Sequence, residues 1–222
     1  MVAKAKRGYG QKSVVSYKKG KYTPKTYGLG KSIKTTIKYS SRGISLAPGP
    51  SGTASEHVFS ANGCFDPDIS GVGHQPSGFD ELMVFFDHYV VLGAKMTVHF
   101  RSIDTTYAHM CYIRVSDRAI LNSDAENVIE NGRCTNKVIG VFAAGDGICK
   151  LTYSLNPAKF LGRKDPMSDS ELKGNTASNP TEEAFFIIGA SPDSAVDSTG
   201  VIAWVEIEYN IALIEPKVVP KS

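Results

Sequence analysis

Residues 201–214 read VIAWVEIEYNIALI. Val201, Ala203, Val205, Ile207, Tyr209, Ile211 and Leu213 fall on one side of an extended chain, and Glu206, Glu208 and Asn210 share the other. Successive side chains of a strand point to opposite faces, so this pattern predicts a long β-strand with one face in a core, central in its sheet. Glu206 and Glu208 then form either a solvated face or one that meets basic groups of a neighbouring subunit. Val90–Arg101 alternates too, with Val90, Leu92, Ala94, Met96, Val98 and Phe100 opposed to Lys95, Thr97, His99 and Arg101. Ile148–Leu155 does so through Cys149, Leu151, Tyr153 and Leu155. Thr106–Val115, Lys137–Phe142, Ala184–Ile188 and His57–Asn62 read as further strands from their β-branched and aromatic content, Lys137–Phe142 as one buried on both faces. Ser32–Ser40 adds an extended segment before them.

Helical spacing is confined to two places. In Phe79–Tyr89 the apolar residues Phe79, Leu82, Met83, Phe86 and Tyr89 recur at three- and four-residue steps, and Ser77 with Asp80 matches a capping box. A short helix is also predicted at Asp124–Glu130. Long loops, at 63–78, 116–133 and 156–182, are rich in Gly, Pro, Asn, Asp and Ser. Gly145-Asp146-Gly147 reads as a hairpin turn between two strands. Seven or eight strands with one helix between the first two predict an all-β fold, a single jelly-roll antiparallel β-sandwich.

Charge divides the chain in two. Of its 25 Lys+Arg and 22 Asp+Glu, twelve cations and no acids lie in residues 1–42, so that segment is formally +12 and the remainder −9. The twelve are Lys4, Lys6, Arg7, Lys12, Lys18, Lys19, Lys21, Lys25, Lys31, Lys34, Lys38 and Arg42. Tyr9, Tyr17, Tyr22, Tyr27 and Tyr39 are interleaved with them. Such a segment buries too little apolar surface to offset its ordering entropy and is expected to be disordered alone. Cations that neutralise phosphates, alternating with aromatic faces that stack on bases, suit single-stranded nucleic acid. The twelve are therefore the candidate nucleic-acid-binding residues. Lys18–Lys21 also has the character of a nuclear localisation signal. The expected organisation is a basic arm over 1–45, a β-domain over 46–216 and a short tail over 217–222. Removing 1–42 is expected to leave the β-domain folded.

No catalytic constellation is legible. GxSxG, P-loop and HExxH motifs are absent, and His57, His74, His88, His99 and His109 stand at no motif spacing from a cysteine or carboxylate. Asp66-Pro67-Asp68 with His74 has the oxygen ligands of a calcium site, but Asp-Pro and Pro/Gly clusters are equally ordinary turn chemistry. Cys64, Cys111, Cys134 and Cys149 are scattered without a CxxC pair and are expected to be reduced and mostly buried. No cofactor or metal is expected, no enzymatic activity, and no membrane insertion, since no run of 18 apolar residues occurs.

Two stretches carry a family resemblance. Phe59-Ser60-Ala61-Asn62-Gly63, Asp66-Pro67-Asp68, Gly73-His74-Gln75-Pro76, Phe79-Asp80, His88-Tyr89 and Gly93-Ala94-Lys95-Met96-Thr97-Val98 form the first. Pro157-Ala158-Lys159-Phe160-Leu161-Gly162 and Asn179-Pro180-Thr181-Glu182-Glu183-Ala184-Phe185-Phe186 form the second. Over residues 55–214 the chain resembles the capsid (coat) proteins of small circular single-stranded DNA viruses that encode a replication initiator, the circovirus-like group. The resemblance implies a single jelly roll and a homo-oligomeric icosahedral T=1 shell of sixty copies. It also implies an inward-facing arm that packages a circular single-stranded DNA genome, with RNA as the alternative cargo. The expected location is the virion, and the host nucleus or cytoplasm during assembly. Roughly 60 arms would neutralise on the order of 700 phosphates. The arm departs from many members in being Lys-rich, with Arg only at 7 and 42, and Lys meets phosphate as a point charge rather than a fork. Two other readings of the residues are a cellular single-stranded nucleic-acid-binding protein with a basic tail, and a cupin-like β-sandwich enzyme.

Overall fold

The computed structural model describes residues 30–49 and 52–218. Nine strands build two antiparallel sheets: β1 (Ser32–Leu46), β2 (Ser55–Ser60), β3 (Phe86–Ser102), β4 (His109–Ser116), β5 (Cys134–Ile139), β6 (Ile148–Leu155), β7 (Lys173–Gly174), β8 (Phe185–Pro192) and β9 (Val201–Pro216). The first sheet has the order β1-β9-β3-β6, with β7 paired to the start of β3, and the second has the order β2-β8-β4-β5. The chain crosses between sheets at six of its eight steps; β4 to β5 stays in the second sheet, and β6 to the short β7 in the first. This interleaving of two four-strand sets is the jelly-roll connectivity. Three short helices, α1 (Phe79–Met83), α2 (Ala125–Glu130) and α3 (Pro157–Phe160), lie in the connections.

The core fills the space between the sheets, as the period-2 patterns require. From β9 it takes Val201, Ala203, Val205, Ile207, Tyr209, Ile211 and Leu213, from β3 Ala94, Met96, Val98 and Phe100, and from the facing sheet Phe59, Ile113, Phe186 and Ile188. β9 is central, between β1 and β3. Cys64, Cys111 and Cys149 are buried and Cys134 half-buried, all four as free thiols.

Several sequence expectations shift. β1 runs the full length of β9, from Ser32 opposite Ile214 to Leu46 opposite Val201. Ile37, Tyr39 and Leu46 are buried in the core, so residues 32–45, assigned to the arm, belong to the sandwich. The alternation read from Val90 breaks at Leu92, where the β3–β9 register shifts between Val91 and Gly93. A bulge adds one residue and swaps the faces. Tyr89 and Val91 therefore enter the core, while Val90 joins Ala212 and Ile214 in a small outer cluster against Leu92 and Met167.

The predicted helix at 79–89 stops at Met83, and Phe86–Tyr89 is strand, because β9 extends to Pro216 and offers Phe86 a ladder partner. Ser77 does not cap α1. Its N-cap is Gly78 at φ 80, without a side-chain cap bond. The helix expected at Asp124–Glu130 is present as α2, with the Asp124 carboxylate accepting from the Glu126 and Asn127 amides. β5 is an edge strand with only Ile139 buried, not a doubly buried one. Gly140–Gly147 is a corner between sheets rather than a hairpin, since β5 and β6 lie in different sheets.

Candidate nucleic-acid interface

Eight of the twelve candidate residues, Lys4, Lys6, Arg7, Lys12, Lys18, Lys19, Lys21 and Lys25, lie outside the described residues. Lys31 is exposed just before β1. Lys34, Lys38 and Arg42 are exposed positions of β1 itself, four residues apart, and so share the outward face of the first sheet. The Lys38 ammonium lies 3.1 Å from Glu208 and 4.0 Å from Glu206. The bond to Lys38 holds the Glu208 carboxyl below its ordinary range and raises Lys38 in turn. The acids on the outward face of β9 are thus met from within the chain, and Lys38 is already engaged.

Ladder register sets out the rest of that face. Arg42 is opposite Trp204, Trp204 opposite His99, and His99 opposite Lys150, so four strands contribute one row. The next row is Ser45, Ile202, Arg101 and Ile148. Neither row contains a carboxylate. On the other side of the Trp204 row, the adjacent row holds Glu206 between Ser40 and Thr97, and the one beyond it holds Glu208 between Lys38 and Lys95. Trp204 is 51% exposed, and its Nε1–H donates to Ser40 Oγ at 3.0 Å, which restrains the ring on the sheet. The Arg101 guanidinium sits 5.0 Å from the centre of the exposed Phe142 ring. His99 is exposed, as its place among the polar residues of β3 indicated.

No protein-family model matches this chain, and no curated protein matches it. Solved structures do resemble it in fold. Tobacco necrosis virus shares 12% identity with a TM-score of 0.49, over 89% of this chain and 89% of that one. Mud crab tombus-like virus shares 13% at a TM-score of 0.48, over 89% and 96%. A semi-empty virus-like particle of the giant freshwater prawn Macrobrachium rosenbergii nodavirus shares 9% at 0.49, over 96% and 97%. The jelly roll itself is established by the strand order.

The outer face of the second sheet is covered over β8 and the middle of β4, while Val138 on the edge strand β5 stays exposed. Tyr112 and Ile187 are fully buried there. Glu56 accepts from Arg114 Nε and Nη2, from the Tyr112 hydroxyl and from the Asn122 amide, which pins the loop after β4 across the sheet. The two motif-bearing stretches meet at one end of the sandwich. The Asn179 amide group accepts from the Asp66 N–H and donates to the Asp66 carbonyl and to Glu183. Glu183 also accepts from Ser60 Oγ, and the Tyr209 hydroxyl donates to the Ser60 carbonyl. Burial raises the Glu183 carboxyl above its ordinary range despite the Ser60 and Asn179 bonds.

Asp68, one of the residues with calcium-site character, is buried, and its Oδ1 meets His57 Nε2 at 2.8 Å and accepts from the Ser70 amide and hydroxyl. His74 meets the Gln75 and Ser40 carbonyls instead of joining it. That loop is held by its own turn hydrogen bonds and by bonds to β1 and β2. Among the described residues, no three His, Cys, Asp or Glu side chains are grouped to hold a metal. Trp204 is the exposed residue of this face that sequence reading passed over. Its only signal was a single Trp at a polar-face position of an alternating strand.

Proposed function

We propose that this chain is a non-enzymatic viral capsid protein that self-assembles into a closed icosahedral shell and packages a single-stranded nucleic-acid genome. One observation carries the reading. The outward face of a jelly-roll sheet exposes Arg42, Trp204, His99 and Lys150 in one row, and β1 of that sheet follows directly in the sequence on a segment whose charged residues are all cationic. Rigid sandwiches with long loops suit symmetric subunit packing, and a basic segment on each copy neutralises the enclosed phosphates. A circular DNA genome and a shell of sixty copies are the finer form of the proposal, supported by the motif resemblance. Virion location follows from the same reading, with a nuclear assembly stage supported by Lys18–Lys21.

Expression of the full chain followed by negative-stain electron microscopy tests it. Uniform closed shells containing nucleic acid are expected. Monomers or small oligomers at all salt concentrations, with or without added single strands, would replace the capsid with a tailed single-strand-binding module. Nuclease-protected cargo, extracted and digested with DNase or RNase, decides the genome type.

A further inference from the structure

We infer that the row Arg42–Trp204–His99–Lys150 is a base-stacking platform for single-stranded nucleic acid, a second contact site on the sandwich distinct from the basic segment that precedes it. The inference rests on the packaging function proposed above and assigns a particular job to the sheet face. Trp204 is the chain's single tryptophan. It does nothing for the core: its neighbours Ala203 and Val205 are fully buried on the inward side of β9, while Trp204 is half exposed on the other. The exposed Ile202 and Ile148 stand in the next row, so Trp204 belongs to an exposed apolar patch, and such patches mark contact sites.

Charge indicates which partner. Arg42 and His99 are directly opposite Trp204 on the two neighbouring strands, Lys150 stands one strand further out, and Arg101 is in the next row. The nearest acid on β9, Glu206, is within 4.0 Å of Lys38. An occupant must therefore present an apolar plate to the indole and negative charge about it. An unpaired nucleobase with its flanking phosphates has that composition, and a base inside a duplex does not expose its face. Base–aromatic stacking tolerates any sequence, which suits a protein that coats a whole genome. The Ser40 hydrogen bond holds the ring in place before a base arrives, which reduces the ordering cost on binding. A second copy of this chain would need an acidic patch matching Arg42, Arg101 and Lys150, and the test separates that case.

Because Trp204 is the only tryptophan, its fluorescence reports on this site alone. Dissociated full-length protein would be titrated with oligo(dT), and with an abasic strand of equal length and phosphate number. Saturable quenching by oligo(dT), and little by the abasic strand, is expected. In anisotropy measurements with a labelled strand, Trp204→Ala should weaken oligo(dT) binding roughly 5- to 150-fold. It should leave abasic-strand affinity and the salt dependence unchanged, and Trp204→Tyr should recover most of the loss. Tight binding of both strands without quenching would overturn the platform and leave the basic segment as the binding element. Failure of both strands to bind would overturn the platform and the packaging function together. A Trp204→Ala protein that binds strands normally but no longer forms shells would assign the face to a second copy.

Discussion

The carboxylate of Glu56 accepts two hydrogen bonds from the Arg114 guanidinium, each 2.7 Å long, and the acid side chain is only 1% exposed. A fork-to-fork pair at this depth has both charges desolvated and most of its hydrogen-bonding capacity used. Arg114→Ala would leave Glu56 charged and buried with only Tyr112 and the Asn122 amide. The expected loss is about 3–5 kcal/mol of stability, and the loop after β4 should become protease-sensitive. Chemical denaturation with limited proteolysis checks this, and a loss near zero would show that the pair is dispensable.

Gly189 faces the ring of Tyr112 so closely that a Cβ would fall 2.3 Å from Tyr112 Cζ and 2.4 Å from its hydroxyl oxygen. The ring cannot withdraw, because it is fully buried and its hydroxyl is bonded to Glu56. Gly189→Ala should therefore cost about 1–3 kcal/mol through overpacking. In a double-mutant cycle with Tyr112→Leu the costs should be clearly less than additive. Additive costs would mean that the two side chains do not meet.

Acid stability should fall in two stages. His109 is fully buried, close to Ser198, and burial lowers its pKa although Asp104 and Asp193 pull the other way. The unfolded chain then binds a proton that the fold resists, so stability declines as pH drops below about 6.5. Asp104 is opposed by burial, but bonds from the Thr106, Tyr107 and Thr199 amides and the Ser198 hydroxyl hold it below the ordinary carboxylate range. Its contribution is present above about pH 4 and is lost only as pH falls further. Glu183 and Asp66, raised mainly by burial, act in the opposite sense. In melting curves from pH 8 to pH 3, His109→Gln should remove the first stage and Asp104→Asn the second. An unchanged profile in either variant would disprove that assignment.

The boundary of the basic segment has a direct consequence for truncation. Removing residues 1–31 leaves β1 intact and should preserve the fold while weakening strand binding. Removing 1–42 takes Ile37 and Tyr39 from the core and exposes the long edge of β9. That chain should melt early or aggregate. Circular dichroism and sedimentation distinguish them, and equal stability of both truncations would mean that β1 is dispensable.

Lys38 and the preceding lysines should differ in salt dependence. Each of Lys18, Lys19 and Lys21 changed to Gln should reduce the slope of log K against log[salt] by about 0.7, the value for a phosphate contact on a single strand. Lys38→Gln should change it less, because its ammonium already meets Glu208 at 3.1 Å. Equal changes would show that the Lys38–Glu208 pair opens when nucleic acid binds.

The β class, the core face of β9 and the separation of charge were legible in the sequence, because each is a local property. Alternation in Val201–Leu213 places every second residue inward, whatever the strand pairs with. The absence of acids from residues 1–42 sets that segment's charge without any fold. Pairing partners are not local. Phe86–Tyr89 has helical spacing and becomes strand only because β9 continues to Pro216 beside it. The face swap at Leu92 arises from a register shift against β9, which no period within β3 encodes. Arg42, His99, Lys150 and Trp204 are dispersed over the chain, and only ladder hydrogen bonding among four strands sets them in one row. Composition and periodicity thus determined the β class and the division of charge, and long-range strand register alone decided which side chains meet.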